Sequence, residues 1–174
     1  MTASRHINTK SCDWGTPSKY VNAIKQFFSG AIDLDPCSNS HSIVKAKVEY
    51  KLPQDGLKES WDHSTIYVNP PYGRNKSNKT TISDWLNKCL DSHAEYNSEV
   101  IALIPVATNT KHWKNYIFGH ADCVCFLYDT RLKFLVDGQE KGTGAPMACC
   151  LVYWGKDDEK FYHSFSGYGY VVNL

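Results

Sequence analysis

Asn69, Pro70, Pro71 and Tyr72 stand directly after a short β-like run, Thr65-Ile66-Tyr67-Val68. Residues of these types in this order suit one kind of chemistry, the transfer of a methyl group to an exocyclic amino nitrogen. The amino group of adenine or cytosine is planar, and its lone pair is delocalised into the ring, so it attacks poorly. The Asn69 side-chain carbonyl and the Pro70 backbone carbonyl could each accept one of its N–H bonds. Holding both favours a pyramidal nitrogen with its lone pair aimed at an incoming methyl, a gain from positioning and preorganised electrostatics. Proline donates nothing and fixes φ near −65°, so a rigid turn can aim its carbonyl inward. Tyr72 then offers a face on which a planar base can stack. Asn-Pro and Pro-Pro are also ordinary turn signals. The strand-like run before them is what the chemistry requires.

The surrounding pattern alternates helix and strand. Thr16-Pro17 opens a helix, with Thr as N-cap and Pro at the first helical position. Tyr20, Val21, Ile24, Phe27 and Phe28 follow at helical spacing, and Gly30 stops it. Ala31 to Asp35 reads as a strand ending in an acid, 39–49 as a short weak helix or a loop, and Ser64 to Val68 as the next strand. Ile82 to His93 reads as a helix with Trp85, Leu86, Cys89 and Leu90 on one face. Val100 to Pro105 is an unbroken apolar strand of the buried, parallel-sheet kind. A helix over Lys111 to Phe118, a strand over Ala121 to Tyr128 and an apolar run over Met147 to Trp154 come next. Gly167 to Leu174 is a Gly- and Tyr-rich ending. Strands separated by helices imply an α/β fold with a doubly wound sheet, whose ligands sit beyond the carboxyl ends of the strands. The polar residues 1–11 read as a loose tail ahead of one domain over 12–174.

That rule places Asp35 and Asn69 at the rim of one crevice. S-adenosylmethionine presents an ammonium, a carboxylate, a sulfonium and two ribose hydroxyls. Asp35 could bind the ammonium or order water near it. Thr16, at a helix N-terminus with unpaired backbone N–H groups, could receive the carboxylate. Asp55, in Asp55-Gly56-Leu57, could accept from the cofactor's adenine amino group. Each also reads as an ordinary cap or turn residue; together with the Asn69 motif they favour a methyl-donor site.

Composition bounds the rest. With 174 residues, 42% of them hydrophobic and 13% aromatic, the chain is most simply one ordered globular domain. Net charge is +1, so nucleic-acid affinity has to come from a local patch. No apolar run approaches 18 residues, which argues against a membrane span. The opening Met1-Thr2-Ala3-Ser4-Arg5-His6 lacks the apolar core of a signal peptide. The seven cysteines show no zinc-ligand spacing, so no metal is expected, and reduced thiols in a cytoplasm are. Arg74, Lys76 and Lys79 follow the motif in a Gly/Asn/Ser-rich loop that could grip phosphates and order on binding. Lys111, His112 and Lys114, then Arg131 and Lys133, add positive charge, and Arg131 could fork onto a phosphate or a guanine edge. Trp14 or Trp113 could wall a base pocket.

Six segments, taken in order, resemble the small phage-type DNA N-6-adenine methyltransferases. They are Asp13-Trp14-Gly15-Thr16-Pro17, Leu34-Asp35-Pro36-Cys37-Ser38, Asp55-Gly56-Leu57 with Trp61, Asn69-Pro70-Pro71-Tyr72-Gly73-Arg74, Leu103 to Thr110 with Trp113, and Thr130-Arg131-Leu132-Lys133-Phe134. The likeness spans residues 12 to 154. It implies an abbreviated Rossmann-like fold of the class I methyltransferase type, with S-adenosylmethionine as donor and adenine in DNA as acceptor. It also implies a phage or prophage origin, hence a bacterial host cytoplasm. Carried over residue by residue, it makes Asn69, Pro70, Pro71 and Tyr72 the catalytic set. Trp14, Thr16, Pro17, Asp35, Pro36, Asp55 and Asn69 become the cofactor set. The candidate DNA-binding set, Arg74, Lys76, Lys79, Lys111, Arg131 and Lys133, rests on charge and placement instead. The wider class carries a glycine-rich loop after its first strand, whereas Asp35-Pro36-Cys37-Ser38 has no glycine. Asp35 and Asn69 also stand too close for two full βα units, so the cofactor's ribose-binding acid is hard to place, Glu49 being one candidate outside the cofactor set. Cytosine, RNA or a protein amide remain alternative acceptors, as does a non-catalytic nucleic-acid-binding or anti-restriction protein on the same fold. Monomer and homodimer are both open.

Overall fold

A computed structural model describes residues 14–129, 131–140 and 147–174; the tail expected over 1–11 lies outside them. Fourteen elements follow in chain order. β1 is Trp14–Gly15, α1 Ser18–Phe27, β2 Leu34–Asp35, β3 Val48–Glu49 and β4 Thr65–Val68. α2 is Ile82–Tyr96, β5 Glu99–Pro105, α3 Lys111–Tyr116 and β6 Cys123–Leu127. β7 is Leu135–Val136, β8 Gln139–Glu140, β9 Cys149–Trp154, α4 Asp158–Phe165 and β10 Gly169–Asn173.

Seven strands form the central sheet in the order β10-β6-β9-β5-β4-β2-β3. β3, β2, β4 and β5 run parallel. β9 lies antiparallel between β5 and β6, and β10 closes that edge antiparallel to β6. Period-two alternation buries both faces. Tyr67, Ile101, Leu103, Leu151 and Tyr153 face α1 and α4, where Tyr20, Ile24, Phe27, Phe161 and Phe165 complete one core. Ile66, Val68, Val100, Ala102, Val152 and Trp154 face α2 and α3, packing on Trp85, Leu86 and Trp113. Helices therefore cover both faces of the sheet, but the sheet is mixed rather than all-parallel. No helix is long and apolar enough, among the described residues, to cross a membrane.

Several sequence expectations shift. No helix forms between Asp35 and Thr65, so β2, β3 and β4 are joined by loops and 39–49 is loop apart from the start of β3. Thr16 does not cap α1: the cap is Pro17, the helix starts at Ser18, and the Thr16 hydroxyl bonds the Tyr67 hydroxyl instead. α2 runs past His93 to Tyr96, opened by a Thr81–Asp84 capping box and closed by Asn97 in the left-handed conformation. The Gly/Tyr-rich ending is a strand, because Cys123 to Leu127 offer it a full ladder. The smaller sheet β1-β7-β8 rests on Leu132 and Phe134, both buried in the α1-side core.

Candidate active site

β4 carries the motif. Its ladder with β5 ends at the Val68–Ala102 pair, and the chain then turns through Asn69-Pro70-Pro71-Tyr72. Beyond that pair the Leu103 carbonyl has no β4 partner, and the Tyr72 hydroxyl fills the place at 3.1 Å. The same hydroxyl lies 3.2 Å from Asn69 Oδ1, so its single proton is shared between two acceptors. Asn69 Nδ2 donates to the Trp14 backbone carbonyl at 2.8 Å. Trp14 belongs to β1, paired with Val136 of β7, and its ring stacks on Phe134 with centroids 5.3 Å apart. Phe134 also meets the edge of Tyr72 at 5.9 Å, so one ring braces both aromatics of the site.

A narrow cleft opens beside this turn, lined by Trp14, Thr16, Asp35, Cys37, Ser38, Tyr67 and Asn69 among others. Four residues of the expected cofactor set thus share one wall. Pro17 and Pro36 are buried next to it. Asp35 is 4% exposed, and burial pushes its carboxyl up to about 7. The neighbouring Glu49 carboxylate adds to the rise, while the Cys37 N–H, 3.2 Å away, opposes it. Glu49 sits level with Asp35 on the adjacent parallel strand. One of its oxygens pairs with Lys51 at 2.6 Å, and the other is buried without a hydrogen-bond partner, as is Ser38 Oγ.

Asp55 stands apart from this wall. It accepts from the Leu57 N–H and from Asn78, pairs with Lys58, and faces a separate groove along α2. Its neighbour Gly56 packs against the residue after Asp35, since a Cβ there would lie 1.8 Å from the Pro36 carbonyl oxygen. The loop carrying Arg74, Lys76 and Lys79 is folded without an apolar anchor. Asn75 Oδ1 accepts from the Ser77 and Asn78 N–H groups, the Asn75 N–H donates to the Thr80 carbonyl, and all three cations are exposed. Lys111 is exposed at the start of α3. Arg131 and Lys133 point outward while the alternating Leu132 and Phe134 are buried, so these two charges ride on an anchored backbone. Trp113 is core, not a pocket wall. Burial raises the thiols of Cys37, Cys89, Cys123, Cys125, Cys149 and Cys150, as suits small hydrophobes rather than nucleophiles. Among the described residues no group of three or more His, Cys, Asp or Glu could hold a metal ion.

Sequence reasoning gave little weight to three groups that the structure places beside Asp35 and Asn69. Glu49 lies on a two-residue strand too short to register as one. The Trp14 carbonyl is backbone, and Tyr67 reads as an ordinary strand aromatic. A family model described as DNA N-6-adenine-methyltransferase (Dam) matches residues 4–170. The chain belongs to this family. No curated protein and no solved structure matches it significantly. Membership makes DNA the substrate class and methylation of adenine N6 the general activity, with S-adenosylmethionine the implied donor.

Proposed function

We propose that this chain methylates the exocyclic amino group of adenine in DNA from S-adenosylmethionine, acting on a flipped or single-stranded base. The observation that carries the reading is the convergence of Asp35, Glu49 and Asn69 at the carboxyl ends of three neighbouring parallel strands. That crevice lies where the chain, having passed from β2 to β3 on one side, crosses to β4 on the other. Such reversal points are where open α/β sheets bind ligands, which supports the Rossmann-like reading of the mixed sheet.

The residues present fit the cofactor. The unpartnered buried oxygen of Glu49 suits the ribose hydroxyls, which are donors. Asp35, once ionised, suits the ammonium. Thr16 and the free N–H groups of the first turn of α1 suit the carboxylate. When bound, the cofactor supplies an electrophilic methyl carbon. Asn69 Oδ1 and the Pro70 carbonyl accept the two amino hydrogens of adenine, and the rigid Pro70-Pro71 turn fixes their spacing. Tyr72 stacks on the base, held by Phe134 and by its bond to the Leu103 carbonyl. A base inside a duplex is out of reach, so it must leave the stack. Arg74, Lys76, Lys79, Lys111, Arg131 and Lys133 bind the phosphates around it.

The test is incubation with labelled S-adenosylmethionine and unmodified DNA, beside Asn69→Ala, followed by digestion to nucleosides. N6-methyladenine is expected from the wild type, and at least about a hundredfold less from the variant, the usual loss of one preorganised acceptor or donor. Label in cytosine, or only in added RNA or protein, would replace adenine in DNA as the acceptor.

A further inference from the structure

An asparagine carboxamide turns about its last torsion in a broad, roughly two-fold potential, so nothing intrinsic decides which end faces a ligand. For amino methylation the decision is everything. Oδ1 toward the base accepts a hydrogen from the amino group, whereas Nδ2 toward the base sets donor against donor. The 2.8 Å bond from Asn69 Nδ2 to the Trp14 carbonyl breaks that symmetry. Turned over, the amide would lose the bond and bring Oδ1 against the Trp14 carbonyl oxygen.

The Trp14 carbonyl is in turn held from two sides. Trp14 and Gly15 pair with Val136 and Leu135, at an approach so close that a Cβ on Gly15 would lie 3.2 Å from the Leu135 Cβ. The other anchor is the hydrogen bond, 2.6 Å long, between the Thr16 and Tyr67 hydroxyls, buried beneath the cleft. Tyr67 lies two residues before Asn69 on β4, so it ties the segment carrying the orienting carbonyl back to the strand that carries Asn69. We propose that Tyr67 is a positioning residue for methyl transfer: through Thr16 it holds the Trp14 carbonyl against the Asn69 amide and so keeps Asn69 Oδ1 facing the crevice. This rests on the amino-methylation reading above. It also means that position 69 of this chain requires an amide, because an ionised aspartate would press a carboxylate oxygen on the Trp14 carbonyl.

The test uses the full chain with Tyr67→Phe, which removes the hydroxyl and keeps the ring in its core, and with Asn69→Asp. Tyr67→Phe is expected to stay folded with a similar DNA KM, while kcat at saturating cofactor falls about tenfold, the worth of one buried hydrogen bond. Asn69→Asp is expected to be nearly inactive at pH 8 and to regain activity as pH falls through its carboxyl range, where a protonated oxygen can donate to Trp14. The side-chain amide of Asn69, followed by ¹⁵N NMR without turnover, should show a slowly exchanging proton in wild type that exchanges freely in Tyr67→Phe. An unchanged kcat and amide signal in Tyr67→Phe, or Asn69→Asp active without pH dependence, would overturn the inference. A held amide in a wild type that methylates no DNA would instead overturn the activity on which it rests.

Discussion

Asp35, proposed above as the partner of the cofactor's ammonium, carries a cost to the fold. Its ordinary pKa is 3.8, and burial lifts it to about 7. Between those values the unfolded chain has lost a proton that the folded chain keeps, so stability falls as pH rises through the interval, by up to about 4 kcal/mol. Cofactor affinity runs the other way, because only the ionised carboxylate attracts an ammonium. Asp35→Asn should therefore melt above wild type at pH 8, with the gap closing toward pH 4, and should bind S-adenosylmethionine weakly at every pH. Melting curves and calorimetric titrations across that range decide it; a gap independent of pH sinks the assignment. Asp35 and Asn69 were legible as candidate site residues because their side chains advertise chemistry at a strand end. The Trp14 carbonyl was not, since a backbone oxygen leaves no mark in the sequence. Tyr67 hid behind its ring, which packs like any core aromatic while its hydroxyl bonds Thr16.

Among the elements, the longest were the most legible. α1, α2, β5 and β9 carry periodic apolar faces long enough to count. β1, β3, β7 and β8 are two residues each and exist only through their partners, which local pattern cannot reveal. α4 escaped because its apolar signal is one pair, Phe161 and Phe165, among polar neighbours. The loop from Asp55 to Trp61 behaves as an element although it contains no helix or strand. Trp61 Nε1 donates to the Gly56 carbonyl at 2.8 Å, and Lys88 Nζ reaches the Leu57 and Glu59 carbonyls. So pinned, it presses Gly56 onto Pro36, next to Asp35. A methyl group at Gly56 would meet backbone 1.8 Å away, and neither chain segment can yield cheaply. Gly56→Ala should lose about 2 kcal/mol or more of stability, the scale of an overpacked buried site, and loosen cofactor binding. Gly167→Ala, with nothing within 4 Å of the new carbon, serves as the neutral control. Equal melting temperatures for the two variants would show that the loop carries no such constraint.

For the molecule as a whole, the sequence made the two-faced burial of the sheet legible but not the direction of its strands. Period-two patterning marks which side chains are buried and is indifferent to whether a neighbour runs parallel or antiparallel. Charge is likewise a matter of arrangement, since the net value is only +1. The groove along α2 gathers Asp55, Glu59, Asp84, Asp91 and Glu95 against only Lys58 and Lys88, an excess of negative charge. That concentration repels a phosphate backbone and leaves DNA to approach by the exposed cations. Among these, Arg131 and Lys133 differ from the loop lysines because buried Leu132 and Phe134 hold their backbone, and Phe134 touches both Trp14 and Tyr72. A phosphate gripped there is registered against the catalytic turn. Each phosphate contact contributes about 0.9 to the slope of log affinity against log salt. Arg131→Ala with Lys133→Ala should therefore weaken DNA binding across all sequences and lower that slope by about 2, while Asp91→Asn with Glu95→Gln leaves the slope unchanged. Fluorescence anisotropy over a salt series reads both. A slope untouched by the Arg131 and Lys133 changes would move the phosphate grip to the 74–79 loop, and with it the direction from which the target base enters the cleft.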